Sequence, residues 1–352
     1  MSITGTEWTL ANASRGTAFE PLAAINRWWE AITPQMTFDV TDTAAFPGWQ
    51  AQMRAAVQAA LGWTPPALPL APRVLAEGTL EPGVLFRYGE VETTPGMMVP
   101  FMLLIPEGRT APGPAVLCAH GHGDGMNPLF GLDAQGNAIT DEYQHEFALV
   151  ACRQGFVALT FDILCFGRRR DFDFCTRHNA FACITPSELA VQIGSSMAAL
   201  RVFDARQMLG LLAMQPEVDA QRIGMSGISG GGTVTFYTSV LDDRVRASMI
   251  SGYFNQYRAY MQVFHCIDNF VPGLSRVAEM PDIGCCLAPR PLLISQGTRD
   301  PIFPIDATRA GVNHLRSAYR LFDAEERLEE EYYDAEHVYS NARVWDFMGK
   351  WL

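Results

Sequence analysis

At 352 residues and 48% hydrophobic content, the chain is long enough to bury a large core. Its 30 glycines and 22 prolines describe a globular protein with many turns and argue against a disordered or fibrous one. A formal charge of -12 with no basic block argues against a nucleic-acid partner. The opening MSITGTEWTLANASRG has no basic segment followed by an apolar run, and no stretch reaches 18 uninterrupted apolar residues. No secretory signal and no membrane span are therefore expected, and the expected location is cytoplasmic. The eight cysteines lie mostly in apolar runs without close-spaced zinc-ligand pairs, and read as reduced, buried thiols. Cys175 and Cys183 share one loop and form a candidate pair.

Two short amphipathic helices are expected in the first 72 residues, over Pro21–Ile32 and Gly48–Leu61. Trp28, Trp29 and Trp49 on them read as packing anchors. Prolines 65, 66, 69 and 72 mark a linker. The chain therefore divides into a helical extension, 1–72, packed on its own core or on a partner subunit, and a main domain, 73–352. Extended runs Val84–Arg87 and Met97–Ile105 predict antiparallel edge strands. Ala115–Ala119 is a short apolar strand that breaks into His120-Gly121-His122-Gly123-Asp124-Gly125. Open α/β sheets place their sites at such carboxyl ends.

A helix over Glu142–Gln154 and a strand over Phe156–Phe161, ending at Asp162, come next. An irregular stretch, Cys165–Pro186, carries Arg168, Arg169 and Arg170 and then Phe172, Phe174, His178 and Phe181. One long helix is predicted over Pro186–Met214. Beyond the segment 221–232, strands Val245–Ile250, Pro291–Ser295 and Leu328–Tyr333 alternate with helices Asp306–Leu321 and Arg343–Leu352. This alternation predicts a mostly parallel sheet with helices on both faces.

Gln221–Gly232 reads QRIGMSGISGGG, and Gly227-Ile228-Ser229-Gly230-Gly231 within it fits G-x-S-x-G at a strand-to-helix turn. Ser226 competes for the nucleophile role, but Ile228 stands where its second motif glycine belongs, which favours Ser229. A phosphate-binding turn is disfavoured because neither G-x-G-x-x-G nor G-K-[ST] is present here. A serine needs a base, and the base an orienting acid. His337, in a loop after the last strand, is favoured over His265 and His314. Asp300, after the run PLLIS and its turn, is favoured over Asp334 and Glu336, which adjoin the acidic run 329–331. Backbone amides of Gly230 and His122 are the expected oxyanion donors, with Gly123 the alternative to His122. His120 is expected to brace its loop. A zinc reading of His120 and His122, with a third ligand from Asp124 or a remote Asp, would duplicate a working serine site, so no metal and no cofactor are expected.

Taken together, PAVLCAHGHGDG (114–125), LTFDILCFGRR (159–169), PEVDAQRIGMSGISGGG (216–232), LAPRPLLISQGTRDPIFP (287–304) and the His337 loop resemble the α/β-hydrolases. The nearest branch is that of the dienelactone-hydrolase-like proteins and the acetyl xylan esterase or cephalosporin-C deacetylase-related esterases. The resemblance spans about residues 75 to 345, and the N-terminal helices also look like those of an esterase-related subgroup. It implies Ser229 as nucleophile, Asp300 as acid, His337 as base, and His122 and Gly230 as oxyanion donors. It further implies that Asp162 and Gly167 form a D-x-x-x-x-G brace. Dienelactone hydrolases proper use a cysteine, so serine at 229 points to the esterases. Ala335-Glu336 stand where relatives commonly carry a glycine before the histidine.

The implied function is a serine hydrolase of carboxylic esters, including deacetylation of acylated sugars. An oligopeptidase-like hydrolase, a carbon–carbon bond hydrolase and a non-catalytic binding protein are the alternatives. Arg168, Phe172 and Tyr253 are the substrate-binding candidates, drawn from the arginine run and from the aromatic stretches 172–181 and 253–270. A small-molecule ester is the expected partner, and homo-oligomerisation is left open.

Overall fold

A computed structural model describes residues 20–139, 141–178, 182–262 and 265–352. Nine strands form one sheet: β1 (Arg73–Glu81), β2 (Val84–Thr94), β3 (Met97–Pro106), β4 (Gly113–Ala119), β5 (Val157–Phe161), β6 (Val218–Ile228), β7 (Val245–Ser251), β8 (Leu292–Gly297) and β9 (Leu328–Tyr333). Their order is β1-β2-β3-β5-β4-β6-β7-β8-β9. Pairing is antiparallel from β1 through β5, with tight turns joining β1 to β2 and β2 to β3. From β5 to β9 it is parallel, each crossover carrying helix.

Alternate residues of the central strands feed opposite apolar layers, as the two-residue period of a strand requires. From β4, Val116 and Cys118 pack with Phe147, Ala148, Trp345 and Met348, which lie on helices Phe147–Arg153 and Val344–Trp351. Ala115, Leu117 and Ala119 pack instead with Ala205, Met208 and Leu209 of helix Met197–Ala213. Helix Phe46–Leu61 buries one face, Phe46, Met53, Val57 and Leu61, against the layer that holds Phe236, Tyr237 and Tyr257. Helix Pro21–Glu30 buries none of its residues and leaves Trp28 exposed, while Trp29 and Trp49 pack against that layer.

Two predicted helices are cut short. The single helix expected over Pro186–Met214 is two, Ile184–Gln192 and Met197–Ala213. At the break the Trp63 amide donates to the Gly194 carbonyl at 2.8 Å, and the Ser195 and Ser196 hydroxyls donate to Trp63 and Leu61 carbonyls. Ser196 also accepts from the Ala199 amide and caps the second helix. The backbone thus docks onto the end of helix Phe46–Leu61 and does not continue as a helix. The helix expected over Glu142–Gln154 begins only at Phe147, because His145 and Glu146 have positive φ, 49° and 44°. Among the described residues no helix is long and apolar enough to cross a membrane.

Candidate active site

Strand order turns back between β4 and its two neighbours, β5 and β6, so the carboxyl ends of β4 and β6 lie side by side, with Ala119 paired to Gly227. A crevice at such a reversal is where open α/β sheets hold ligands. Ser229 sits there between β6 and helix Gly230–Leu241 with φ 59° and ψ -122°, a strained conformation for a residue with a side chain. Neighbouring elements fix it: the Ser229 amide donates to the Ser251 carbonyl at 3.0 Å, and its carbonyl accepts from the Thr233 amide at 2.9 Å. The helix passes so near β4 that a Cβ at Gly231 would lie 1.9 Å from the Ala119 carbonyl oxygen.

Ser226 is fully buried, and its hydroxyl is 2.6 Å from the Tyr339 hydroxyl. It points into the core, away from the crevice. Ser226→Ala is therefore expected to leave turnover intact while costing about 1–3 kcal/mol of stability, because the Tyr339 hydroxyl loses its partner. A denaturation curve beside a rate measurement checks both halves.

His337 Nδ1 lies 2.7 Å from Asp300 Oδ2. Asp300 follows β8, and its other oxygen accepts from the Ile302 and Phe303 amides at 2.8 and 3.1 Å. Gln296 Nε2 donates to Oδ2 at 3.0 Å. Burial alone would raise the pKa of this carboxyl, but the hydrogen bond and charge of His337, with the two amides, hold it below the ordinary carboxylate value. The imidazole is held between two aromatic rings, Phe303 at 5.7 Å and Tyr143 at 5.9 Å, both within 24° of parallel. Gly252 runs beneath it with φ 49°, and a Cβ there would meet His337 Cε1 at 2.9 Å. His337 Nε2 is buried without a hydrogen-bond partner, so the ring nitrogen opposite Asp300 is available as a proton acceptor. The Ser229–His337 hydrogen bond is not formed in this structure. Both side chains line one cavity of about 410 Å³, together with His122, Tyr143, His265, Cys266, Asn269, Ile302 and Phe303.

The loop after β4 is clamped from the segment that fails to become helix. Gln144 Oε1 accepts from the Gly121 amide at 2.6 Å, and the Tyr143 hydroxyl donates to the His122 carbonyl at 2.7 Å. His120 Nε2 accepts from the Ile163 amide at 2.9 Å, and burial pushes this ring's pKa down to about 3. It is a brace, as expected, and its coordinating nitrogen is occupied, which removes it from any zinc pair with His122. Asp162 accepts from the Met126 and Arg168 amides at 2.9 and 2.8 Å and holds the Gly167 turn. The His122 ring points to Asp268, with Nε2 and Oδ2 3.0 Å apart, an ion-pair contact without the alignment of a hydrogen bond. Burial works against a charge on this ring, but Asp268 and Cys266 outweigh it and raise its pKa to about 9.

Tyr143→Phe is expected to lower kcat about fivefold with KM within about twofold, since one hydrogen bond worth about 1 kcal/mol positions the His122 peptide. Phenylalanine keeps the stacking on His337, so Tyr143→Ala is expected to lose more. A split between kcat and KM distinguishes this positioning role from a general loss of structure.

A family model described as "Abhydrolase family" matches residues 11–345. The chain belongs to this family. YtaP of Bacillus subtilis (strain 168), provisionally named a hydrolase, is 25% identical over 228 residues, covering 62% of this chain and 71% of its own. A Bacteroides fragilis protein provisionally named an acetyl xylan esterase superposes with TM-score 0.77 at 20% identity, over 92% of this chain and 84% of its own. A glucuronoyl esterase from Solibacter usitatus does so with TM-score 0.65 at 13% identity, over 91% and 98%. At these identities the two structures speak for the fold.

In this Abhydrolase family chain the three substrate-binding candidates lie away from the Ser229 cavity. Arg168 and Phe172 line a separate cleft with Asp124, Asn127 and Arg170. Arg168 bonds the Tyr88 hydroxyl and pairs with Glu90 at 3.9 Å, and Phe172 lies exposed beneath Arg170. Tyr253 is fully buried and packs among Phe236, Tyr260 and Phe303, behind the cavity wall. His178, Phe181 and Phe264 fall outside the residues whose side chains are described. His314 pairs with Asp282 at 2.9 Å on the helix Ile305–Arg320, remote from the cavity. The alternative acids, Asp334 and Glu336, are both exposed, and Asp334 pairs with Arg299. Cys183 has Cys266, not Cys175, as its neighbour, with the sulfurs 2.6 Å apart.

The pocket-lining residues that sequence reasoning did not name for the site are Tyr143, Cys266, Asn269, Ile302 and Phe303. Ile302 and Phe303 carried a signal, since both follow Asp300 within two or three residues, and Cys266 and Asn269 lie within the aromatic stretch 253–270; Tyr143 carried none.

Proposed function

We propose that the protein is a serine carboxylic-ester hydrolase working through an acyl-enzyme, with Ser229 as nucleophile, His337 as base and Asp300 as the orienting acid. One observation carries the reading: a histidine fixed by a carboxylate at 2.7 Å shares a cavity with a serine held at a strained strand-to-helix turn. His337 Nε2 takes the Ser229 proton as Oγ attacks the ester carbonyl. The Gly230 and His122 amides, or Gly123 in place of His122, stabilise the oxyanion. The imidazolium, held by Asp300, returns the proton to the leaving alcohol. Water, deprotonated by the same ring, then releases the acid and restores Ser229.

The cavity volume suits a small acyl group with a sugar ring at its mouth. Names among structural relatives, acetyl xylan esterase and glucuronoyl esterase, agree with an acylated or esterified carbohydrate. Eight free cysteines accord with a reducing, cytoplasmic setting. Wild type is expected to hydrolyse short acyl esters and acetylated sugars and to leave peptide amides uncut. Turnover of peptide amides in preference to esters, or of no ester at all, contradicts this reading.

A further inference from the structure

Behind the oxyanion loop lies a group of side chains that the hydrolytic mechanism does not use. His122, Cys183, Cys266 and Asp268 come from three distant segments, and one ligand atom of each lies within 4.8 Å of every other. Cys183 and Asp268 are buried, while His122 and Cys266 also face the cavity of Ser229. We propose that these four residues form a zinc site that ties the oxyanion loop to the cavity wall.

The donor set is the first argument. Two thiolates, one imidazole and one carboxylate are a four-coordinate zinc set, with ligand bonds of about 2.0–2.3 Å. Such bonds place neighbouring ligands about 3.3–3.8 Å apart in a tetrahedron. His122 Nε2 stands 3.0 Å from Asp268 Oδ2, the oxygen that Arg201 already bonds, which leaves Oδ1 as the oxygen for the metal. The two sulfurs, at 2.6 Å, must move apart by about 1 Å to reach tetrahedral spacing.

Unspent bonding capacity is the second. Asp268 is 1% exposed, and its Oδ2 accepts from Arg201 Nη1 at 2.8 Å, yet Oδ1 is buried with no hydrogen-bond partner. His122 Nε2 is buried and also lacks one. A buried carboxylate oxygen and a ring nitrogen, both without a hydrogen bond and near two thiols, are costly unless something binds them.

Charge is the third. Two thiolates and a carboxylate around a divalent cation leave one net negative charge, and the buried Arg201 guanidinium cancels it. Arg201 also donates to the Leu164 carbonyl, so it orients Asp268 from outside the ligand set. Binding deprotonates both thiols and displaces any proton on His122.

The full-length protein, purified with a thiol reductant and without chelator, is expected to carry about one zinc per chain by elemental mass spectrometry. Ser229→Ala is expected to carry the same amount, which separates this site from the hydrolytic reading. The double variant Cys183→Ser, Cys266→Ser is expected to fall to background. Should that variant fail to fold, wild type stripped by chelator and loaded with Co²⁺ is expected to show thiolate-to-cobalt charge-transfer absorption. Absence of that band, zinc retained by a folded double variant, or no zinc in wild type each overturns the proposal. So does an intact mass two hydrogens lighter with a Cys183–Cys266 cross-linked peptide, because the pair is then a disulfide.

Discussion

Ser229→Ala is expected to lower kcat on a short acyl ester about a million-fold, with the fold unchanged. The size of the effect follows from the chemistry, since attack by Oγ, proton transfer to His337 and collapse to an acyl-enzyme all vanish with one atom. What remains is a cavity with oxyanion donors, worth about a thousandfold over water. Stability is expected to stay within about 0.5 kcal/mol, because the anchoring hydrogen bonds of residue 229 are made by its backbone and the cavity side chain is partly exposed. Alanine carries a Cβ as serine does, so the positive φ costs it a similar strain. Kinetics with the variant, beside a thermal melt, check both statements. A fall of less than a hundredfold with the melt unchanged would mean that another group attacks.

Asp300→Asn is expected to lower kcat about ten-thousandfold with little change in KM. Asparagine keeps an oxygen for the Ile302 and Phe303 amides, so its other terminus must be the amide nitrogen. That nitrogen then faces two donors, Gln296 Nε2 and His337 Nδ1. The ring escapes the clash by moving its proton to Nε2, the nitrogen that must accept from Ser229, and a base becomes a donor. The electrostatic support of the imidazolium disappears as well. Because Asp300 is held below the usual carboxylate pKa by partners made only on folding, its contribution to stability is present above the unfolded-state value. That contribution is lost as pH falls through the lower folded-state value. The variant is therefore expected to lose acid sensitivity along with activity, which denaturation curves from neutral to acid pH read directly.

The parts of the site that were legible in the sequence are those whose chemistry is local. Gly227–Gly231 announce a turn that must be sharp, and the carboxyl end of an apolar strand places Asp300. The His337 loop follows a recognisable strand. What was not legible depends on contacts made across the chain. Tyr143 and Gln144 sat in a stretch with helical periodicity, and only the tertiary demand of the oxyanion loop breaks the helix there. The same holds at Gly194–Ser196, where docking onto Leu61 and Trp63 outweighs a continuous apolar pattern. Aromatic richness misled the reading of Tyr253, because a ring behind a cavity and a ring lining it have the same local sequence. The cluster of Cys183 and Cys266 with His122 lies far apart along the chain, so no spacing rule reveals it.

The central claim is that Ser229 is the activated nucleophile, and a fluorophosphonate probe tests it most directly. Such a probe phosphonylates a serine only where a neighbouring base has made it nucleophilic. Cleavage after Arg222 and Arg244 leaves both Ser226 and Ser229 on one peptide, so fragment ions must place the adduct. A single phosphonyl group is expected on Ser229 in wild type and in Ser226→Ala, and almost none in Asp300→Asn. An adduct on Ser226, or an unlabelled and fully folded wild-type protein, would contradict that claim.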